Sequence, residues 1–396
     1  MIGKPRVLYI SYDGMLEPLG QSQVITYLER LASEYAIHLV SFEKPADRAQ
    51  SGKVAAVLMR LSAAGISWHP LTYHKAPTLP ATLFDIAQGI ALSLWLTARH
   101  RVRLVHARSY IPALIGWVIK LLTGTPLLFD MRGLWADERI DGGIWPVGGR
   151  IYRTVKRIEK TLLQGADHIV TLTYASKAVI AAFPYRIDAP IAVIPTCADL
   201  DRFTPGDGGK VQPFTLGYLG SIGTWYMFEE VLACFKLLRE RRPDARLLVV
   251  NRNEQDLVRR MVVDAGIAED AIELTFADHA DVPAQVRRMS AGAAVIKPAF
   301  SKIASAPTKL AEYLGCGVPC LGNVGVGDME LMLETEGGGV ALREFTSQER
   351  VRAVDRLLGM ADDPATPAHC RKVALAHFSV ADGAERYRAI YQGLLT

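Results

Sequence analysis

What this chain lacks narrows its function before any motif is read. Its five cysteines, Cys197, Cys234, Cys316, Cys320 and Cys370, are scattered, and none forms the two-residue-spaced pair of a zinc or redox site, so they read as reduced and structural. Charge of one sign is also scarce: 45 Lys and Arg face 41 Asp and Glu, and a dispersed net +4 makes no nucleic-acid footprint. Nucleic acid is therefore not an expected partner. No hydrophobic run suits a membrane span, because the longest apolar stretch, residues 81–98, carries Asp85 and Gln88 near its start. No basic-then-apolar leader opens the chain, since residues 6–11 already read as a buried strand, and a cytoplasmic protein is expected. No Asp-x-Asp pair stands at a predicted strand end. Asp137 with Glu138 and Asp362 with Asp363 are adjacent pairs that point apart, so neither a bound metal nor another cofactor is expected.

What is present suits a globular protein. Half of the residues are apolar and 22% are charged, enough to bury a core that offsets chain entropy. At 396 residues, two domains of ordinary size are expected. Short aliphatic runs at residues 6–11, 37–42, 103–106, 126–130 and 168–172 alternate with helical periods at 22–33, 82–98, 111–122 and 151–164. Turn residues then gather from Pro195 through Thr204 to Gly209, as in an interdomain linker. After it the alternation resumes, with strands expected at 214–219, 246–250, 272–276, 293–297 and 319–321. The fold class is α/β, two doubly wound Rossmann-like domains, at residues 1–200 and 210–378. An amphipathic tail, residues 379–396, is expected to pack back on the first domain. Open parallel sheets bind ligands beyond the carboxyl ends of their strands, so two facing sheets would enclose one deep cleft.

The loops at those strand ends carry the candidate chemistry. After the first strand the Gly-x-Gly-x-x-Gly fingerprint is missing and no acidic residue convincingly closes the second, which removes most support for a dehydrogenase. Gly20 and Gln21 lead straight into a helix, where a backbone can approach a phosphate, although a plain loop glycine explains them equally well. His106 ends a strand and is followed by Ala107, Arg108, Ser109 and Tyr110; a lone histidine is more often packed or capping than catalytic. Asp130 opens a polar, aromatic loop with Arg132, whose planar fork suits a phosphate or carboxylate, while Asp130 suits a sugar hydroxyl. The alternative there is an internal ion-pair network. Arg150, Arg153, Lys156, Arg157 and Lys160 share a helix face, read first as solvated and second as docking on anionic lipid.

The sharpest segment runs from Ser305 through Pro307, Thr308 and Lys309 to Glu312, and stops at Gly317-Val318-Pro319. Proline at the first turn and a Gly-Pro stop mark a short helix. Its amino-end amides and Lys309 can neutralise a diphosphate, and Glu312 can accept from ribose hydroxyls. An ordinary capped helix with surface Glu and Lys is the plain alternative.

In order of features the chain resembles the GT-B glycosyltransferases, in particular glycosyltransferase family 4, over nearly its whole length. The likeness rests on Pro-Leu-Gly-Gln-Ser-Gln at 18–23, His-Ala-Arg-Ser-Tyr from His106, Asp-Met-Arg-Gly from Asp130, the connector at 194–203, and the Pro-Thr-Lys to Glu312 helix. It implies a retaining transfer from a nucleotide diphosphate sugar to a glycan or lipid-linked acceptor, in surface polysaccharide assembly, with the departing phosphate taking the acceptor proton. By that likeness His106 would hold the transferred sugar, Gly20 and Gln21 the phosphate region, Lys309 the diphosphate and Glu312 the ribose. Arg132 would act with His106 and Lys309 in catalysis, and Gly220, Ser221, Ser305, Pro307, Thr308 and Gly327 would line the substrate. Contact at the inner face of the membrane is compatible with a lipid-linked acceptor.

Two departures stand out. The family often has a second glutamate eight positions before the ribose-binding one, and here Ala304 occupies it. It also often places an Arg and a Lys after the first strand of the second domain, where this chain has Ser221, Ile222, Gly223, Thr224 and Trp225 after Gly220. Sugar contacts then fall to backbone amides around Ser305 and Ala306, and phosphate charge to Arg132, Lys309 or helix dipoles. A nucleotide-sugar epimerase, using Asp137 and Glu138, and a non-catalytic nucleotide-sugar-binding subunit are the competing readings.

Overall fold

The computed structural model describes residues 3–206, 211–278 and 280–396, so part of the turn-rich stretch and the bound at residue 210 fall outside it. The chain forms two compact units, one of residues up to Ile194 joined by Val380–Thr396, the other Pro195–Ser379.

The first unit holds seven parallel strands, β1 (Arg6–Ser11), β2 (Ala36–Glu43), β3 (Ser67–Thr72), β4 (Leu104–Arg108), β5 (Leu127–Asp130), β6 (His168–Thr171) and β7 (Ile191–Val193), in the order β3-β2-β1-β4-β5-β6-β7. The second holds six, β8 (Thr215–Leu219), β9 (Arg246–Val250), β10 (Ile272–Thr275), β11 (Ala291–Ala293), β12 (Cys320–Asn323) and β13 (Gly339–Leu342), in the order β10-β9-β8-β11-β12-β13. Central strands are aliphatic because helices cover both faces of a parallel sheet; β1 and β4 are buried almost throughout. Strand order reverses between β1 and β4 in one sheet and between β8 and β11 in the other, and those carboxyl edges are where doubly wound sheets bind ligands.

Three strands lie beyond the sequence expectation, β3, β7 and β13, and each is a sheet edge. Edge strands need no apolar face on both sides; β3 even contains Pro70, tolerable only where one side of the ladder is unpaired. The strand expected at 293–297 occurs earlier, at Ala291–Ala293. Beyond it, Asn323 takes over the ladder: its Oδ1 accepts the Ile296 N–H (2.8 Å) and its Nδ2 donates to the Ile296 carbonyl (2.9 Å).

Residues 195–204 are no free connector. Leu200 and Phe203 are buried in the second unit's core, and the Arg371 guanidinium donates to the carbonyls of Leu200 (2.7 Å), Phe203 (2.5 Å) and Gly315 (3.0 Å). The first unit accordingly ends at Ile194 rather than near residue 200. Among the described residues one helix, Thr78–His100, is long and apolar enough to cross a membrane; it packs on β1 and on the helix Tyr110–Thr123 and buries Asp85. The terminal helix Val380–Leu395 buries Val380, Ala384, Tyr387 and Tyr391, one stripe at helical spacing, against the helix Thr26–Leu31 and β4.

Candidate active site

The helix Thr308–Gly315 is fixed beneath the reversal point of the second sheet by Tyr313. The Tyr313 hydroxyl accepts the Leu219 N–H (2.9 Å) and donates to the Ala293 carbonyl (3.4 Å), so it ties the ends of β8 and β11 together. Its ring lies over Gly292, where a Cβ would come within 2.6 Å. Pro307 caps the helix with no side-chain acceptor, so no capping carboxylate competes for its amino-end amides.

Lys309 is buried, only 7% exposed, and its Nζ has no hydrogen-bond partner. It rests instead on two ring faces, 3.9 Å from the centre of Tyr226 and 4.3 Å from that of Tyr218. A ring face attracts a cation but satisfies none of the three ammonium donors. Desolvation pushes this lysine down to about 7, opposed by the nearby Glu312 carboxylate. Burial pushes half-buried Glu312 up to about 7 against Lys309 and Arg202.

The loop after β8 approaches the same ammonium. Gly220 has a left-handed φ of 84°, and a Cβ there would stand 4.0 Å from Lys309 Nζ. Asn251, at the end of β9, donates from Nδ2 to the Gly220 carbonyl (2.9 Å), and Glu254 accepts the Ile222 N–H (3.0 Å). Gly220 and Ser221 are exposed, while Ser305, Pro307 and Thr308 are half-buried at the helix entrance. Gly327, also at positive φ (47°), donates its N–H to the Lys302 carbonyl (2.9 Å) and so joins the loop after β12 to the same edge. The structure thus brings together Gly220, Ser221, Ser305, Pro307, Thr308, Lys309, Glu312 and Gly327. Sequence reasoning missed Tyr218, Tyr226, Asn251 and Asn323. A polar asparagine closing an aliphatic strand was the available signal for the last two.

The first unit's candidates lie otherwise. His106 is 1% exposed, enclosed by Tyr9, Tyr387 and Tyr391; its Nδ1 shares a hydrogen bond with the Tyr391 hydroxyl (2.7 Å) and its Nε2 lies 3.6 Å from Asp130. Burial lowers its pKa below the ordinary histidine value, although Asp130 opposes this. Nε2 has no hydrogen-bond partner, but at 1% exposure the imidazole is closed to a sugar in this structure, which corrects the first expectation for His106. Asp130 is likewise interior: Arg132 (3.4 Å), Arg108 (3.7 Å) and the Tyr387 hydroxyl (3.1 Å) surround it. That is the ion-pair network rather than a sugar ligand, with Arg132 its most accessible member. The Gln21 N–H donates to the Glu17 carbonyl (3.1 Å) and a Cβ on Gly20 would strike the Gly14 carbonyl at 2.1 Å, so this glycine serves packing. Glu43 closes β2 but spends its carboxylate on the amides of Met15 (2.7 Å) and Leu16 (3.1 Å). Lys156 turns off the basic face to Asp137 (3.0 Å) and buried Glu159. Asp137, also bound by the Tyr152 hydroxyl (2.8 Å), is not free for proton transfer.

Two doubly wound units give the chain a GT-B fold, and one of them carries an unpaired buried lysine at the amino end of a helix. Residues 20–202 match the family model described as Glycosyltransferase Family 4. It is similar, at 25% identity over 80% of this chain and 70% of the relative, to a D-inositol 3-phosphate glycosyltransferase from Segniliparus rotundus. Its fold matches sucrose-phosphate synthase from Thermosynechococcus elongatus (TM-score 0.74, 15% identity, 99% of each chain). It also matches Anabaena HepE in complex with UDP and glucose (TM-score 0.69, 15% identity, 98% of this chain and 100% of that one). The family model and the curated relative are both glycosyltransferases, whereas the solved structures bear on the fold alone.

Proposed function

We propose that this enzyme is a retaining, metal-independent hexosyltransferase whose Pro195–Ser379 unit holds the donor and whose other unit holds a glycan or lipid-linked acceptor for surface polysaccharide assembly. The observation that carries this reading is Lys309, a buried ammonium with no hydrogen-bond partner beside a left-handed glycine. Preorganised cations and amides stabilise charge that grows on a leaving group better than water does. In the reaction the bond from the sugar's anomeric carbon to the β-phosphate oxygen breaks, with its electron pair passing to that oxygen. The acceptor oxygen bonds the same face of the carbon, and its proton passes to the departing phosphate. Lys309 and the helix amides meet the diphosphate, Glu312 the ribose and the amides at Ser305 and Ala306 the sugar. Arg132, held by Asp130 (3.4 Å), belongs to the unit assigned to the acceptor.

Exposed Ile144, Val147 and Ile151 stand next to Arg150, Arg153 and Arg157, an apolar and basic combination that suits an enzyme working peripherally at the inner, anionic membrane face. Since HepE was solved with UDP and glucose, UDP-glucose is the first donor to try. A saturating donor should raise the Tm by about 5–10 °C in a panel of UDP-, GDP-, ADP- and TDP-sugars, and Lys309→Met should remove most of that rise. A panel in which no nucleotide sugar raises the Tm would defeat the reading.

A further inference from the structure

A nucleoside diphosphate carries more negative charge than one ammonium offsets, yet the loop from Gly220 to Met227, the first to reach the carboxyl edge, contains neither Lys nor Arg. It contains aromatic rings instead. Tyr226 lies under Lys309, and its neighbour Trp225 lies under a second lysine, Lys302, whose Nζ stands 3.7 Å from the indole centre. Lys302 belongs to the 3-10 turn Phe300–Ala304, directly ahead of the Lys309 helix, and is itself only 7% exposed. Its backbone is fixed twice, by its own N–H to Ala299 (3.0 Å) and by the Gly327 N–H on its carbonyl. Trp225 is fixed as well: Thr224 before it holds a left-handed φ of 55°, and its carbonyl accepts the Lys297 N–H (2.8 Å). Two ammonium groups are therefore set on consecutive rings of one loop, at the ends of β8, β11 and β12. A diphosphate presents anionic oxygens enough to meet both groups.

We propose that Lys302, shelved on Trp225, is the second diphosphate-binding cation of this enzyme and works jointly with Lys309. This rests on the donor reading above. Supplying the charge from the turn before the helix lets the loop after β8 remain uncharged, with Trp225 as support rather than ligand. The inference predicts selectivity for the second phosphate. UDP, GDP and ADP are titrated calorimetrically against the full chain beside their monophosphates, and the base whose diphosphate binds wild type is carried forward. Lys302→Gln should weaken that diphosphate about 10- to 100-fold, the loss of one charge-assisted contact, and its monophosphate less than about 3-fold. Lys302→Arg, which keeps the charge and also guards against a folding defect in the Gln variant, should stay within about 10-fold of wild type. Wild-type diphosphate affinity in Lys302→Gln, or equal losses for both nucleotides, overturns the inference while the donor reading survives. A wild-type chain that binds no nucleotide overturns both.

Discussion

Lys309 and Glu312 lie one turn apart on the same helix, and burial works on them in opposite directions: the lysine is pushed down to about 7 and the glutamic acid up to about 7. A nucleotide sugar has no phosphate ionisation near neutrality, so the protein's own groups set the pH dependence of binding. With the donor bound as proposed, diphosphate favours the charged lysine and raises its pKa; affinity is then full below about 7 and falls as pH rises through the bound value. Ribose hydroxyls favour the carboxylate of Glu312 and lower its pKa, so its contribution is full above about 7 and falls as pH drops. Calorimetric donor affinity should therefore peak near neutrality, each limb approaching about tenfold per pH unit. Glu312→Gln should abolish the acid limb and keep the alkaline one. A flat profile in wild type would show that neither group changes protonation with donor bound.

The helix that carries these two residues is placed by glycine as much as by its own sequence. Gly292 on β11 gives the Tyr313 ring its seat, and Gly292→Ala would drive a methyl against rigid aromatic carbon 2.6 Å away. Overpacking of this kind costs about 1–3 kcal/mol and must move either the strand or the helix. The expected outcome is a lower urea midpoint together with a donor affinity reduced at least about tenfold, because Lys309 moves with its helix. Unchanged affinity alongside lost stability would show that the helix is not held through Tyr313. This arrangement also explains what the sequence disclosed and what it hid. The helix itself was legible from Pro307 and the Gly317-Val318-Pro319 stop, and Lys309 and Glu312 from their positions along it. The rings beneath Lys309 were not, because Tyr218 alternates in a buried strand as any core residue would. Edge strands β3, β7 and β13 escaped notice because one unpaired side relaxes the demand for continuous apolar residues. His106 and Asp130 occupy strand ends, where function is expected, but nothing local reveals that two tyrosines 285 and 257 residues away cover them.

Those tyrosines make the first unit depend on the end of the chain. Tyr391 reaches His106 (2.7 Å) and packs edge-on against Tyr35, while Tyr387 reaches Asp130 (3.1 Å) and packs edge-on against Tyr27. The chain thus passes through the whole Pro195–Ser379 unit before supplying the wall that closes the core of the other, and Arg388 adds an ion pair to Glu34 (2.6 Å) on that unit's surface. Removing residues 380–396 would uncover Tyr9, His106 and Asp130 at once, leaving a buried carboxylate and imidazole open to water. The first unit of the shortened protein should then unfold at lower urea than the second, splitting one transition into two. Point variants separate the covering rings from their hydroxyls. Tyr391→Phe keeps the ring over His106 but leaves Nδ1 unpaired, a loss of about 1–2 kcal/mol. Tyr387→Phe should cost less, because Arg108 and Arg132 still face Asp130. Donor affinity should stay at the wild-type value in both variants, since the residues proposed to bind it all lie in the Pro195–Ser379 unit. A shortened protein that melts in one transition at the wild-type midpoint would show that the terminal helix is dispensable to the first unit's core.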